Sequence, residues 1–226
     1  MQAADEVRET QRVKVWDPWI RLVHWLLVLL VPFSWWTGKQ GNWDLHFLSG
    51  YAILSLLVFR LAWGLVGSET ARFGRFLRSP LEGLRHLRHL GRRAPDTQVG
   101  HNAAGGWMVL VMLGLLLAQA STGLFADDLI LTRGPLARSV DPVVSDAATS
   151  VHLRVIWAII GTGALHLLAI AAYAALPRHD LVRPMVTGTK RLPAGAAAPR
   201  MGNPALALLL LAAAAGAVWW VVSLGG

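Results

Sequence analysis

Between Val151 and Tyr173 the chain runs for 23 residues with one charged side chain, Arg154, and two histidines, His152 and His166. A helix of about 20 mostly apolar residues crosses the hydrocarbon core of a bilayer, so this stretch has the length of a membrane span. The two histidines stand 14 positions apart. On a helix that spacing separates them by roughly 21 Å along the axis and returns them to within roughly 40° of the same face. One side of one helix thus presents an imidazole near each membrane surface. Ionisable side chains inside a span are costly and mark functional sites by default. A neutral imidazole nitrogen is a good iron ligand, which makes metal ligation the leading use. A lone intramembrane histidine can equally hydrogen-bond a neighbouring helix; further histidines at matching depths turn the reading towards a cofactor.

Four other stretches have spanning length. Pro18–Thr37 carries His24 and Pro32, Leu45–Val66 opens with His46 and contains Arg60, and Ala103–Phe125 follows a GHNAAGG segment that holds His101. Pro204–Leu224 is apolar without histidine. With 54% hydrophobic and 15% charged residues, the chain reads as an integral membrane protein with five helices. It has no cysteine. That excludes disulfides, thiolate-bound iron–sulfur clusters and covalent c-type haem, so any haem is held without a covalent link.

The net charge of +8 is a topology signal. Arg8, Arg12, Lys14 and Arg21 precede or open the first span, seven arginines lie between Arg72 and Arg93, and Arg178, Arg183, Lys190, Arg191 and Arg200 follow the fourth. The other connections hold only Lys39, or balance Arg133 and Arg138 against Asp127, Asp128, Asp141 and Asp146. The positive-inside rule then places the N-terminus in the cytoplasm and the C-terminus outside, and nucleic acid is not an expected partner. The first fifteen residues read as a cytoplasmic tail and not a secretory signal, because Glu6 and Glu9 interrupt any basic n-region. Ser79-Pro80-Leu81-Glu82 has the form of a capping box, and leucines at 81, 84, 87 and 90 among basic residues predict an amphipathic helix on the inner leaflet. His86 and His89 fall on it as interfacial residues. Trp16, Trp19, Trp35, Trp36, Trp43, Trp219 and Trp220 lie near predicted helix ends and read as interfacial anchors.

Depth sorts the histidines into two pairs. His24 and His166 lie towards the cytoplasm, and His46 and His152 towards the outer face. Iron with two imidazole axial ligands has no open position, so such sites carry electrons. Arg60, deep in its span, is a candidate partner for an anionic haem propionate. Arg21 and Arg154 either do the same or snorkel to headgroups. His101 is placed to hydrogen-bond a propionate or to cap its helix.

RLVHWLL, HFLSGY, RLAWGLVGSETARFGRF, GHNAAGGWM and the H-x13-H helix followed by LVRPMVTGTK together resemble the prokaryotic cytochrome b561 family, which includes b-type subunits of nickel–iron hydrogenases. The resemblance covers about Val13 to Arg191 and implies a four-helix, di-haem b electron carrier whose ligands match His24, His46, His152 and His166. In the third-helix motif Ala103 stands where many relatives have proline. The expected fold is an all-α membrane protein, a four-helix transmembrane bundle binding two haems plus a fifth C-terminal helix. Its expected division is a tail over 1–17, a bundle over 18–176 with the basic segment at 70–95, a linker over 177–203 and the added helix over 204–224. The expected setting is the bacterial inner membrane, among membrane lipid. There the chain passes single electrons between the quinone pool and a c-type cytochrome or a dehydrogenase or hydrogenase subunit. A quinone-linked oxidoreductase activity, or oxidation of superoxide at the outer haem edge, falls within the same class. The alternatives are a histidine-using transporter or metal-handling protein, and a haem-bearing membrane anchor for an enzyme subunit.

Overall fold

A computed structural model describes residues 10–79, 81–82, 99–130, 132–175 and 181–225. Five long helices dominate it: α1 Pro18–Lys39, α2 Trp43–Val66, α3 Ala103–Phe125, α4 Pro142–Ala175 and α5 Pro204–Ser223. Each is long and apolar enough to cross a bilayer, and the chain is a multi-pass membrane protein. Local chemistry fixes where the helices start. Asp17, Asp141 and Asn203 each precede a proline, and each side-chain oxygen accepts from backbone N–H groups of the first turn. Proline at the first helical position gives up only a donor that would have had no partner, so an Asx-Pro pair is a strong start signal. Asn42 and Asn102 cap α2 and α3 in the same way. Pro32 sits inside α1 without ending it.

The helices do not pack equally. Central α2 meets α1, α3 and α5, and α3 in turn carries α4. Leu57, Phe59 and Trp63 of α2 have no solvent-exposed surface. No comparable seam joins α1 to α4.

At one end of the bundle the two sides of the chain are clasped together. The strand β1, Thr10–Lys14, pairs antiparallel with β2, Thr189–Pro193, bringing Thr10 opposite Pro193 and Lys14 opposite Thr189. Val13, Val15 and Leu192 are buried beneath it. Backbone N–H groups of Val15 and Trp16 both donate to the Gly188 carbonyl, at 2.8 and 3.1 Å. Gly188 has φ +82°, and a Cβ there would lie 3.0 Å from the Trp16 carbonyl, so the turn requires glycine on both counts. Thr70 Oγ1 donates to the Val15 carbonyl, and Gly202 N–H donates to Ser68 Oγ. The segments expected as a tail and a linker therefore include an ordered two-stranded sheet at this clasp end.

Other differences are local. Helix α4 begins nine residues before Val151, at Pro142, because its first turns are polar and invisible to hydropathy. Trp16 is buried and packs on His101 instead of anchoring at an interface, whereas Trp35, Trp36, Trp219 and Trp220 are exposed as interfacial indoles would be. Glu82 N–H donates to Ser79 Oγ, as the capping box requires. The rest of the amphipathic segment, with His86 and His89, lies outside the described residues.

Candidate haem-binding sites

The two predicted histidine pairs fall towards opposite ends of the bundle, His24 and His166 on α1 and α4, and His46 and His152 on α2 and α4. At the far end, His46 opens α2 and His152 lies on α4, with ring centroids 6.2 Å apart and planes at 87°. Two metal–imidazole bonds of about 2 Å each, plus the half-widths of two rings, sum to about 6 Å, so this spacing suits one metal ion between them. Both rings are held from behind. His46 Nδ1–H donates to the Ser34 carbonyl at 2.8 Å, and His152 Nδ1–H to the Gln119 carbonyl at 2.9 Å. These bonds assign the proton to Nδ1 and leave Nε2 as the lone-pair nitrogen. Each ring also lies against a glycine of the neighbouring helix. A Cβ at Gly38 would come within 2.9 Å of His46 Nδ1, and one at Gly123 within 2.9 Å of His152 Cε1. Any larger residue would push the ligand off its carbonyl.

Gln119 adds a further contact, its Nε2 lying 3.1 Å from His152 Nε2 while its Oε1 is buried without a partner. An imidazole that keeps its own proton on Nδ1 accepts from that amide, so a metal on Nε2 requires the Gln119 side chain to turn aside.

At the clasp end, His24 on α1 and His166 on α4 couple electrostatically across the gap, and both couple to His101 just before α3. His101 is wedged between Trp16 and Phe76, each with its ring centroid 4.6 Å away. Burial, then the Arg60 cation and the His166 and His24 rings, hold the His101 imidazole down at about 3. Arg60 is 6% exposed, its guanidinium lies 4.8 Å from the Phe73 ring centre, and its buried charge is coupled to the carboxylate of Asp17. Asp17 in turn accepts from Trp63 Nε1 at 3.2 Å. Arg21 and Arg154 are placed differently. Arg21 Nη1 donates to the Val186 carbonyl at 2.5 Å, turning towards the clasp, and Arg154 is exposed on α4.

Buried polar atoms nearly always have partners, so each exception calls for an explanation. Among the described residues the exceptions are Arg21 Nε, His24 Nδ1, Arg60 Nη1, His101 Nδ1 and Gln119 Oε1. Three of the five gather around the clasp-end pair and one borders the far-end pair. The facing His46 and His152 rings, a buried guanidinium and unpartnered polar atoms are side chains that could hold a flat, anionic, iron-bearing ligand.

The family model for prokaryotic cytochrome b561 matches residues 15–188. The chain belongs to the prokaryotic cytochrome b561 family. The match takes in α1 to α4, both histidine pairs and the turn at Gly188, and stops just before β2 and α5. Membership makes the chain a membrane electron-transfer protein that binds haem b. No curated protein and no solved structure matches it.

Sequence reading had singled out all four histidines, Arg60 and His101, but not Ser34, Gly38, Gln119, Gly123 or Asp17. Gln119 carried a signal, being the only side-chain amide in its span. Ser34 and Gln119 act through backbone carbonyls, which no side-chain identity announces.

Proposed function

We propose that this cytochrome holds two b-type haems, each between two histidines, and carries single electrons across the bacterial inner membrane between the quinone pool and a redox partner. The observation that carries this reading is the gathering of partnerless buried polar atoms around two depth-matched histidine pairs. His24 and His166 would hold one haem, and His46 and His152 the other. Haem supplies a reversible one-electron couple when bound. The chain supplies the rest. Two imidazoles held at each iron would leave no open place for oxygen, which favours electron transfer. Arg60 offers a buried cation with a free donor to a propionate, while His101, kept neutral, can donate or accept without adding charge. The apolar layer of Ile53, Leu57, Leu113, Leu116 and Ile159, midway along the helices, keeps water out between the sites.

The positive-inside count supports a cytoplasmic clasp end, with His46 and His152 towards the periplasm. There the partner would be a c-type cytochrome or a dehydrogenase subunit. A reduced-minus-oxidised spectrum of the purified protein, with haem counted per chain, tests the reading. Two six-coordinate b haems per chain are expected. A colourless preparation made with ample haem supply would overturn it.

A further inference from the structure

The two strands of the clasp carry their charge on one face. Paired residues of an antiparallel ladder point to the same side, and alternate residues along a strand point to opposite sides. Val13 and Leu192 are buried, which turns them inward, and the register then puts Arg12, Lys14 and Arg191 on the outer side. Arg12 is paired directly with Arg191, and all three cations are exposed. Strand geometry brings the Cβ atoms of the arginine pair to roughly 4.5–5.5 Å and sets Lys14, diagonal to Arg191, roughly 7–8 Å away.

Like charges directly opposite one another weaken a strand pair. Among the described residues no ion pair relieves this one. The two carboxylates beside the clasp are engaged elsewhere: Asp17 accepts from Trp63 Nε1 and from the first turn of α1, and Glu69 pairs with Arg75 and accepts from the Arg200 N–H. A two-stranded sheet is marginal on its own, so a repulsive rung that the chain does not neutralise points to a counter-charge from outside. Both strands lie outside residues 15–188, the stretch shared with the family, so family membership gives this face no role.

The depth of the sheet says what supplies it. Helix α1 has 22 residues, about 33 Å of helix against a hydrocarbon core about 30 Å thick, so Pro18 lies at the edge of that core. Lys14 stands four residues before Pro18, at most roughly 14 Å of chain, which sets the sheet at the headgroup layer. We infer that the outer face of the β1–β2 sheet binds the phosphate of an anionic phospholipid, held by Arg12 from one strand and Arg191 from the other, and that this contact secures the clasp. Each guanidinium offers a planar fork of N–H donors to the phosphate oxygens, and the negative headgroup turns the arginine rung from repulsive to bridging. Closeness to the span ends favours lipid over an acidic protein segment. The contact does not depend on how haem is held.

Hydrogen exchange of the full, haem-loaded chain, read by mass spectrometry, tests this in vesicles of phosphatidylcholine and in vesicles of equal parts phosphatidylcholine and phosphatidylglycerol. The amides of residues 10–14 and 189–192 are expected to exchange about threefold more slowly in the anionic vesicles, the weight of one like-charged rung. The Asp127–Arg133 bridge at the far end should not respond, which controls for a general effect of the bilayer. Arg12→Glu sets a carboxylate opposite Arg191, so it should slow exchange in the neutral vesicles and abolish the response to phosphatidylglycerol. Inorganic phosphate added to neutral vesicles should not replace the lipid. If Arg12→Glu does not assemble, the comparison of the two compositions in the unaltered chain still decides. Equal exchange in the two compositions would overturn the inference, as would the same slowing at the far end, a full response in Arg12→Glu, or an equal effect of free phosphate.

Discussion

Replacing Asp17 with alanine should destabilise the clasp end more than any other single polar deletion among the described residues. The carboxylate is 2% exposed and has three hydrogen-bond donors: Trp19 N–H at 2.9 Å and Ile20 N–H at 3.0 Å on one oxygen, and Trp63 Nε1–H at 3.2 Å on the other. Loss of an N-cap costs about 1 kcal/mol. Taking an ionised acceptor from a fully buried indole costs roughly 1.5–3 kcal/mol. Arg60 makes no ion pair with this carboxylate within 4 Å among the described residues, so it adds only a through-space attraction. The cap and the indole bond overlap, since the same carboxylate serves both, so the net loss should be about 2–4 kcal/mol. Asp17→Asn keeps the cap and a neutral acceptor and should lose roughly half as much. Unfolding in detergent micelles titrated with a denaturing detergent, followed by tryptophan fluorescence, measures both. An alanine variant within about 1 kcal/mol of the parent would refute the view that this network holds α1 and α2 together.

Three further outcomes are expected. His46→Ala and His152→Ala should each remove the same spectral component, the double replacement adding little, whereas His24→Ala combined with His46→Ala should remove nearly all haem; loss of one component by His24→Ala and His152→Ala together would break the pairing. Cysteines placed singly at the exposed positions Ser79 and Ser139 should be respectively protected from and open to a membrane-impermeant label in intact cells, and the opposite pattern would invert the orientation. The His101 pKa, depressed from 6.5 to about 3, means that the unfolded chain binds a proton the folded one does not once the pH drops below 6.5. Stability should therefore fall with pH between those two values, by up to about 1.4 kcal/mol per unit, and His101→Gln should flatten that slope.

The parts of this fold that were legible beforehand are those written in neighbouring residues. Span lengths, the Asx-Pro starts and the depths of the four histidines are properties of a helix read along its own axis. Where α4 starts was legible too, since Asp141-Pro142 is a start signal, but hydropathy alone placed the beginning at Val151. The clasp was not legible. TQRVK has no apolar period worth the name, and its partner TKRLP lies about 180 positions away. Pairing at that distance is set by the assembled bundle and leaves no local mark. The supports behind the far-end histidines were hidden for a different reason: a carbonyl has no residue type, and Gly38 and Gly123 look like ordinary small residues of a membrane helix until the ring beside each is in place.

The clasp also dictates an order of events during synthesis. β1 leaves the ribosome before the first four spans, and it cannot find its partner until residues 189–193 have followed them into place. Closing so long a loop is slow compared with inserting a helix. Until it closes, Val13 and Val15 lack Leu192 beside them, and the Val15 N–H lacks the Gly188 carbonyl. A nascent chain arrested before Thr189 therefore displays an uncovered apolar edge at that end, a marker by which quality-control proteases could tell an unfinished bundle from a finished one.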